Sequence, residues 1–253
     1  MRKHGYGYVP DVPDARDFVF QSIRPSTAPL PPSIDLRHLC SPVRDQGKLG
    51  SCTGFSIAVG LREFLEIKTT GKFVKMSPLF VYYEERNLEH TVDQDCGAQP
   101  RDGMKVLTKL GCAPEIDDRY KIADFTKAPS AKAVQDATKY KIASYHRLSG
   151  LHDIQTALAG SNGVVLGIAV YESFESEAVA KTGRVPMPQP NEQVLGGHAV
   201  FAAGYQTDAK TPGGGYLIVK NSWGVSWGDQ GYFYLPYAYV TPQMVSDAWT
   251  GLV

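Results

Sequence analysis

The apolar pattern of the chain changes near residue 140, and this change limits the folds that the chain can adopt. Before it, apolar residues recur at helical spacing, and the predicted helices cover residues 51–68, 77–88 and 102–110. After it, short apolar runs are separated by Gly, Asn and Pro, and the predicted strands cover residues 142–148, 164–171, 199–205, 216–220 and 232–235, with one short helix at 152–159. Helices followed by strands predict an α+β protein of two segregated lobes, a mainly helical one over 33–140 and a mainly β one over 141–253.

The charge balance narrows the classes of partner. The 253 residues carry 26 Lys and Arg against 26 Asp and Glu, so no overall field draws the chain to nucleic acid or to anionic lipid. No apolar run approaches the ~20 residues that a spanning helix needs, so we expect no membrane insertion. The first residues are basic but lack an apolar stretch, which indicates no secretory signal peptide. The sequence leaves the compartment open.

Four cysteines in a chain of this length do not make a disulfide scaffold, which favours a reducing compartment. Cys40, Cys52, Cys96 and Cys112 include no C-x-x-C and no paired Cys/His cluster, so we expect no metal site. In an oxidising compartment, Cys40 and Cys112 are the predicted disulfide pair and Cys96 is the competing partner.

Cys52 is the candidate nucleophile. It follows Gly50 and Ser51 at the predicted start of a helix, with Ser51 as the N-cap, and the helix dipole favours a thiolate at that end. Gln46 lies just upstream, and its uncharged amide can donate a hydrogen bond to the oxyanion of a tetrahedral intermediate. A cysteine considered alone is more often a buried structural residue. The combination of helix start, thiol and amide favours catalysis.

His198 is the candidate base. It follows two glycines and begins an apolar strand. A lone histidine at such a place is as often a core residue with satisfied hydrogen bonds as a catalytic base. The next strand ends at Asn221, and the turn-rich segment 207–215 between the two strands lets Asn221 lie beside His198 and orient its ring. Trp223 is placed to shield that hydrogen bond from water. The other histidines lie in polar or terminal contexts and are predicted at the surface; they are His4, His38, His90, His146 and His152.

These segments together resemble the papain family of cysteine peptidases. Residues 42–52 (PVRDQGKLGSC), 197–200 (GHAV) and 220–224 (KNSWG), followed by Trp227-Gly228 and Gly231-Tyr232, are similar to that family's nucleophile, histidine and asparagine segments, in the same order. The resemblance covers about residues 34–235 and is strongest to bacterial members. It implies a helical lobe and a β-barrel-like lobe with a cleft between them. It also implies an endopeptidase that works through a thioester and needs no cofactor, with peptides or proteins as substrates.

The resemblance also places substrate-binding residues. It implies contacts with the substrate at Gly97, Ala98, Gly197, Ala199 and Trp223. Because the residues flanking His198 are small and uncharged, we expect an apolar side chain there, at the second residue before the scissile bond. The chain departs from the family pattern at Leu49, at Thr53 and around Cys96-Gly97-Ala98, which alters the shape of the subsites rather than the chemistry.

Residues 1–32 form a predicted N-terminal arm. The proline-rich stretch from Arg24 to Pro32 favours an extended conformation. The arm carries too much apolar surface for a solvated tail, namely Tyr6, Tyr8, Val9, Phe18, Val19 and Phe20. We therefore expect the arm to border the cleft as an intramolecular inhibitor. The alternative is a strap that packs on one lobe and stabilises it.

Two rival functions are compatible with the same motifs. One is amidase or acyl-transfer chemistry on a non-protein substrate, carried by the same fold. The other is a catalytically inactive binding protein, which the presence of all four candidate catalytic residues disfavours.

Overall fold

The computed structural model describes residues 4–20 and 29–253. Its helices are α1 (Cys52–Gly54), α2 (Glu63–Thr70), α3 (Pro78–Leu88), α4 (Pro100–Lys109), α5 (Ala131–Ala137), α6 (Gly150–Ala159) and α7 (Glu177–Thr182). Its strands are β1 (Ser33–Asp35), β2 (Ser144–Arg147), β3 (Val164–Tyr171), β4 (Val194–Thr207), β5 (Gly215–Lys220), β6 (Tyr232–Pro236) and β7 (Val245–Leu252). The α+β class is confirmed. The sequence pattern did not predict β1, β7, α5 or α7.

The helix that begins at Cys52 is not α-helical throughout. Between α1 and α2 the segment Phe55–Arg62 is π-helical, and all of its residues are buried. A π-turn displaces carbonyls from the α-helical ladder, and here the Val59 carbonyl accepts hydrogen bonds from the Ser41 hydroxyl (3.2 Å) and the Lys220 ammonium (3.1 Å). Gly60 lets this helix approach β4, because a Cβ there would lie 2.6 Å from the Cβ of Phe201. This helical segment is therefore closely packed against the sheet.

The strands form one antiparallel sheet of order β2-β7-β3-β4-β5-β6, with β1 pairing to β4. The two ends of this order, β2 and β6, are not paired to each other, so the sheet is open. The resemblance led us to expect a barrel-like lobe, and the sheet is not closed into a barrel. β4 is the longest strand, and it pairs with both β3 and β5. It carries His198 into the centre of the molecule.

One large apolar core runs through both halves of the chain. It includes Ile57, Phe64 and Phe80 from the helices together with Leu166 and Trp249 from the sheet. The pairing of β1 with β4 also ties the start of the first half to the second. The boundary near residue 140 stays a prediction.

All four cysteines are thiols. The sulfur of Cys40 lies near the Leu36 carbonyl and that of Cys112 near the Ser77 carbonyl, so the predicted disulfide between them is not formed. None of the helices in the described parts of the chain has the length and apolarity that crossing a bilayer requires.

Residues 4–20 lie against the body of the protein. Tyr8 and Phe20 are buried, whereas the side chain of Phe18 is 68% exposed. At Phe18 the arm contacts the body through its backbone, since the Phe18 carbonyl accepts a hydrogen bond from the Arg147 amide. Most of the proline-rich stretch from Arg24 lies outside the described residues, so the extended conformation expected there stays a prediction.

Candidate active site

His198 and Asn221 meet where β4 and β5 diverge. The Nε2 atom of His198 lies 2.8 Å from Oδ1 of Asn221, and the backbone amide of Ser222 donates to the same oxygen at 2.8 Å. An oxygen that accepts from a backbone N–H is identified as the amide oxygen, so the imidazole must donate its Nε2 proton to it. This tautomer leaves a lone pair on Nδ1, which is buried and has no hydrogen-bond partner among the described residues. That nitrogen is free to act as a base.

Trp223 covers the face of His198. The two rings stack with centroids 4.9 Å apart, and the other side of the indole stacks on His4 of the arm at 4.6 Å. The His4 side chain is 9% exposed, and His146 is also buried. The prediction of a surface position is therefore wrong for both, because neither polar neighbours nor closeness to a terminus reveals what packs on a side chain in three dimensions.

Cys52 begins α1 and is completely buried. Its sulfur packs against Tyr8 of the arm and against Ala199, whose backbone amide donates to Sγ at 3.4 Å. Burial raises the pKa of the thiol to about 11, although the amides of Ala199, Gly7 and Thr53 favour the thiolate. With the arm in place, Cys52 is a neutral thiol.

Burial acts in the opposite direction on the histidine. It lowers the pKa of His198 to about 4, while the hydrogen bond to Asn221 opposes this shift and the nearby His4 adds to it. The described state therefore contains a neutral thiol and a neutral imidazole rather than an ion pair.

Gln46 is buried beside this pair and its amide is held at both ends. Its Oε1 accepts a hydrogen bond from the Ser222 hydroxyl at 2.6 Å, so Nε2 is the donor end. Nε2 donates to the Leu49 carbonyl at 2.9 Å and to the Gly5 carbonyl of the arm at 3.0 Å. A carbonyl oxygen of the arm therefore occupies one donor position of the Gln46 amide.

Ser51 does not cap the helix. It makes no side-chain hydrogen bond to the first turn, and its hydroxyl pairs instead with the Tyr120 hydroxyl at 2.7 Å. Tyr120 donates in turn to the Gln46 carbonyl at 2.7 Å. The N-cap prediction is wrong, because a hydroxyl from a distant loop competes for the same group. Sequence reasoning missed Tyr120, which has no local signal. It also missed the role of Ser222, which lies within a quoted motif.

The residues expected to bind substrate all contact the arm. The Ala98 amide donates to the Gly7 carbonyl at 2.8 Å, the Ala98 carbonyl accepts from the Val9 amide at 3.0 Å, and the Gly197 carbonyl accepts from the Tyr8 amide at 3.2 Å. Gly97 has a φ of 81°, and a Cβ there would overlap the Gly7 backbone. Ala199 and Trp223 pack on Tyr8 and His4 as described above. The arm thus lies between the helices and β4, directly over Cys52.

The family model for the papain family cysteine proteases matches residues 30–247. An uncharacterized peptidase C1-like protein of Acanthamoeba polyphaga mimivirus is 38% identical over 271 residues, covering 96% of this chain and 85% of its own length. A cathepsin L-like peptidase of Aedes aegypti is 33% identical over 224 residues, which is 83% of this chain and 60% of that protein. The chain belongs to the papain family of cysteine proteases and is a hydrolase of that class.

A solved structure extends the likeness to the whole fold. Xylellain, a cysteine protease from Xylella fastidiosa, superposes with a TM-score of 0.87 at 35% sequence identity, covering 100% of this chain and 98% of xylellain. The relatives include viral and insect proteins as well, so the bacterial assignment stays a prediction.

Proposed function

We propose that the chain is an endopeptidase in which Cys52 is the nucleophile, His198 the base, Asn221 the residue that orients His198 and Gln46 a donor to the oxyanion. The observation that carries this proposal is the hydrogen bond from His198 Nε2 to Asn221 Oδ1, which leaves Nδ1 as the basic nitrogen in the same buried site as the Cys52 sulfur. Peptides and proteins are the proposed substrates.

The proposed reaction follows from these positions. His198 Nδ1 takes the thiol proton of Cys52, and the thiolate attacks the carbonyl carbon of the scissile bond. Gln46 Nε2 and the Cys52 backbone amide donate to the resulting oxyanion. The imidazolium gives its proton to the leaving amine as the C–N bond breaks, and a water molecule, deprotonated by the neutral imidazole, then hydrolyses the thioester.

The arm is the proposed intramolecular inhibitor of this reaction. It covers Cys52, engages the Gln46 amide and forms backbone hydrogen bonds on both walls of the site, at Ala98 and at Gly197. It also keeps the thiol and the imidazole in their neutral forms by excluding water. Peptide hydrolysis then requires the arm to move away, so the arm-open fraction limits the activity.

Deletion of residues 1–31 separates an inhibitor from a strap. An inhibitory arm predicts a lower KM or a higher rate of peptide cleavage for the shortened chain. An arm that only stabilises predicts a lower Tm with no gain in activity.

The rival functions have their own test. An amidase panel is compared with a peptide library, and an epoxysuccinyl inhibitor is used to label Cys52. Cleavage of peptides with labelling at Cys52 supports the proposal. Preference for a small amide points to the amidase, and an unlabelled, inactive protein points to a binding role.

A further inference from the structure

Tyr8 of the arm fills a pocket beside Cys52. Its ring lies against β3 and β4, and the residue is only 7% exposed. The pocket exists because two positions lack side chains: a Cβ on Gly167 would overlap the Tyr8 ring, and a Cβ on Gly197 would lie 2.7 Å from its Cδ1. Ala199 forms the wall nearest the sulfur. The walls of the pocket are therefore apolar and shaped for a flat ring.

The end of the pocket is polar. The Tyr8 hydroxyl donates to Oδ2 of Asp247 and lies 2.6 Å from the Ser246 hydroxyl. A phenol can donate to the carboxylate and accept from the serine at the same time. A phenylalanine ring can do neither. An ammonium or guanidinium group can donate to both oxygens, because a serine hydroxyl also accepts, so the charges around the pocket must decide against it.

Withdrawal of the arm leaves Asp247 short of donors. Its Oδ2 accepts from the Tyr8 hydroxyl and from the Asp11 backbone amide at 3.0 Å, and both donors belong to the arm. Its Oδ1 keeps the Arg147 guanidinium at 2.7 Å. With the arm in place Asp247 is 2% exposed, and after withdrawal water takes the place of the two lost donors. A group that displaces this water without supplying a donor leaves the carboxylate unpaired, which is costly. Whatever next fills the pocket is favoured if it brings a donor.

The charges around the pocket favour a neutral donor. In the described state Arg101 pairs with Asp17 at 2.7 Å, and Arg147 lies 3.5 Å from Asp17 and 3.6 Å from Asp11. Both aspartates leave with the arm, and Asp247 keeps its ion pair with Arg147 at 2.7 Å. No excess negative charge is left to attract a lysine or arginine side chain.

We propose that this pocket binds the tyrosine side chain of a substrate and that Asp247 and Ser246 recognise its hydroxyl group. This inference rests on the proposed peptidase function. It refines the apolar subsite expected between Gly197 and Ala199, so the tyrosine is the second residue before the scissile bond. Asp247 is the specificity-determining residue.

The test uses the full chain with Tyr8→Ala, which vacates the pocket. Three peptides that differ only in Tyr, Phe or Arg at the second residue before the scissile bond are compared by kcat/KM. We expect Tyr to exceed Phe by about tenfold to a hundredfold, the scale of a hydrogen bond to a charged group, and to exceed Arg as well. Adding Asp247→Ala should bring the Tyr/Phe ratio close to one, and the matched Asp247→Asn should give an intermediate ratio. A ratio within one protein does not depend on how much of it is folded.

The outcomes that contradict this inference are distinct from those that contradict the peptidase. Cleavage with equal rates for Tyr and Phe, or with Arg preferred, overturns the tyrosine pocket alone. A folded Tyr8→Ala chain that cleaves no peptide and leaves Cys52 unlabelled by an epoxysuccinyl inhibitor overturns the peptidase and the pocket with it.

A second measurement needs no turnover. Tyr8→Phe in the otherwise unchanged chain removes only the hydroxyl. The rate at which iodoacetamide alkylates Cys52, followed by mass mapping, should rise about tenfold as the arm is released more often. An unchanged rate shows that the hydroxyl is not recognised and overturns the inference.

Discussion

Gly7→Ala is the sharpest perturbation of the arm, because it adds one methyl group where the arm crosses the helix start. A Cβ at residue 7 would lie 2.7 Å from Gly50 Cα and overlap the Gly50 carbonyl oxygen. That obstacle is backbone and cannot rotate away, so the arm must shift. Overpacking of this kind costs about 1–3 kcal/mol, and a shift also weakens the hydrogen bond of Ala98 to the Gly7 carbonyl.

This cost falls on the arm-closed state alone, since nothing in the body changes. At 1.4 kcal/mol per factor of ten, a penalty of about 1–3 kcal/mol raises the arm-open fraction by about 5- to 150-fold. The initial rate of peptide cleavage and the rate of Cys52 alkylation should rise together by that factor. Val12→Ala is the matched control, because Val12 belongs to the arm but is 68% exposed, and it should change neither rate.

The result that refutes this reasoning is a folded Gly7→Ala protein whose cleavage and alkylation rates equal those of the parent chain. A lower Tm without faster kinetics would identify the arm as a strap.

Three further predictions concern the chemistry, all measured in the Gly7→Ala chain so that the arm does not mask the effect. Gln46→Ala should slow acylation by about 10²-fold, the scale of one oxyanion donor, in stopped-flow kinetics; an unchanged rate would remove Gln46 from the mechanism. Asn221→Ala should lower kcat by about tenfold through loss of the His198 hydrogen bond, less than His198→Ala does; an equal loss would contradict an orienting role. The third prediction concerns the pH dependence of arm closure and is measured with Asp11→Asn. The closed state lowers the pKa of His198 to about 4, so closure is favoured above the ordinary value near 6.5 and is weakened as pH falls towards 4. The rate of Cys52 alkylation, relative to that of a free thiol, should therefore rise as the pH is lowered through this range. Asp11 is replaced because burial and the neighbouring Asp247 raise its pKa, so its titration favours closure at low pH and opposes that of His198.

Local patterns predicted the elements that carry the candidate site. The helix predicted over residues 77–88 is confirmed as α3, which the Ser77 hydroxyl caps by accepting from the Phe80 amide at 3.0 Å. β3 and β5 match their apolar runs to within a residue. Asn221 was expected beside His198 because two consecutive antiparallel strands bring their ends together. These features depend on neighbours in sequence, which a single chain displays.

The remaining features depend on contacts between distant segments. β7 carries Asp247 within an apolar run near the end of the chain, and only pairing with β2 and β3 makes it a strand. Tyr120 reaches Ser51 from a loop, and Tyr8 reaches Asp247 from the arm, without any pattern that marks them. The open edge of the sheet also depends on contacts between distant segments, because a sheet closes only if its two edge strands pair with each other.

The central claim is that Cys52 is the nucleophile of a peptidase, and the most direct measurement compares Cys52→Ala with Cys96→Ala in the Gly7→Ala chain. Cys96 is the exposed cysteine, so its replacement controls for the loss of a thiol. With both variants folded by circular dichroism, peptide cleavage should vanish in Cys52→Ala and continue at the parent rate in Cys96→Ala. Cleavage by Cys52→Ala at the parent rate would contradict the account.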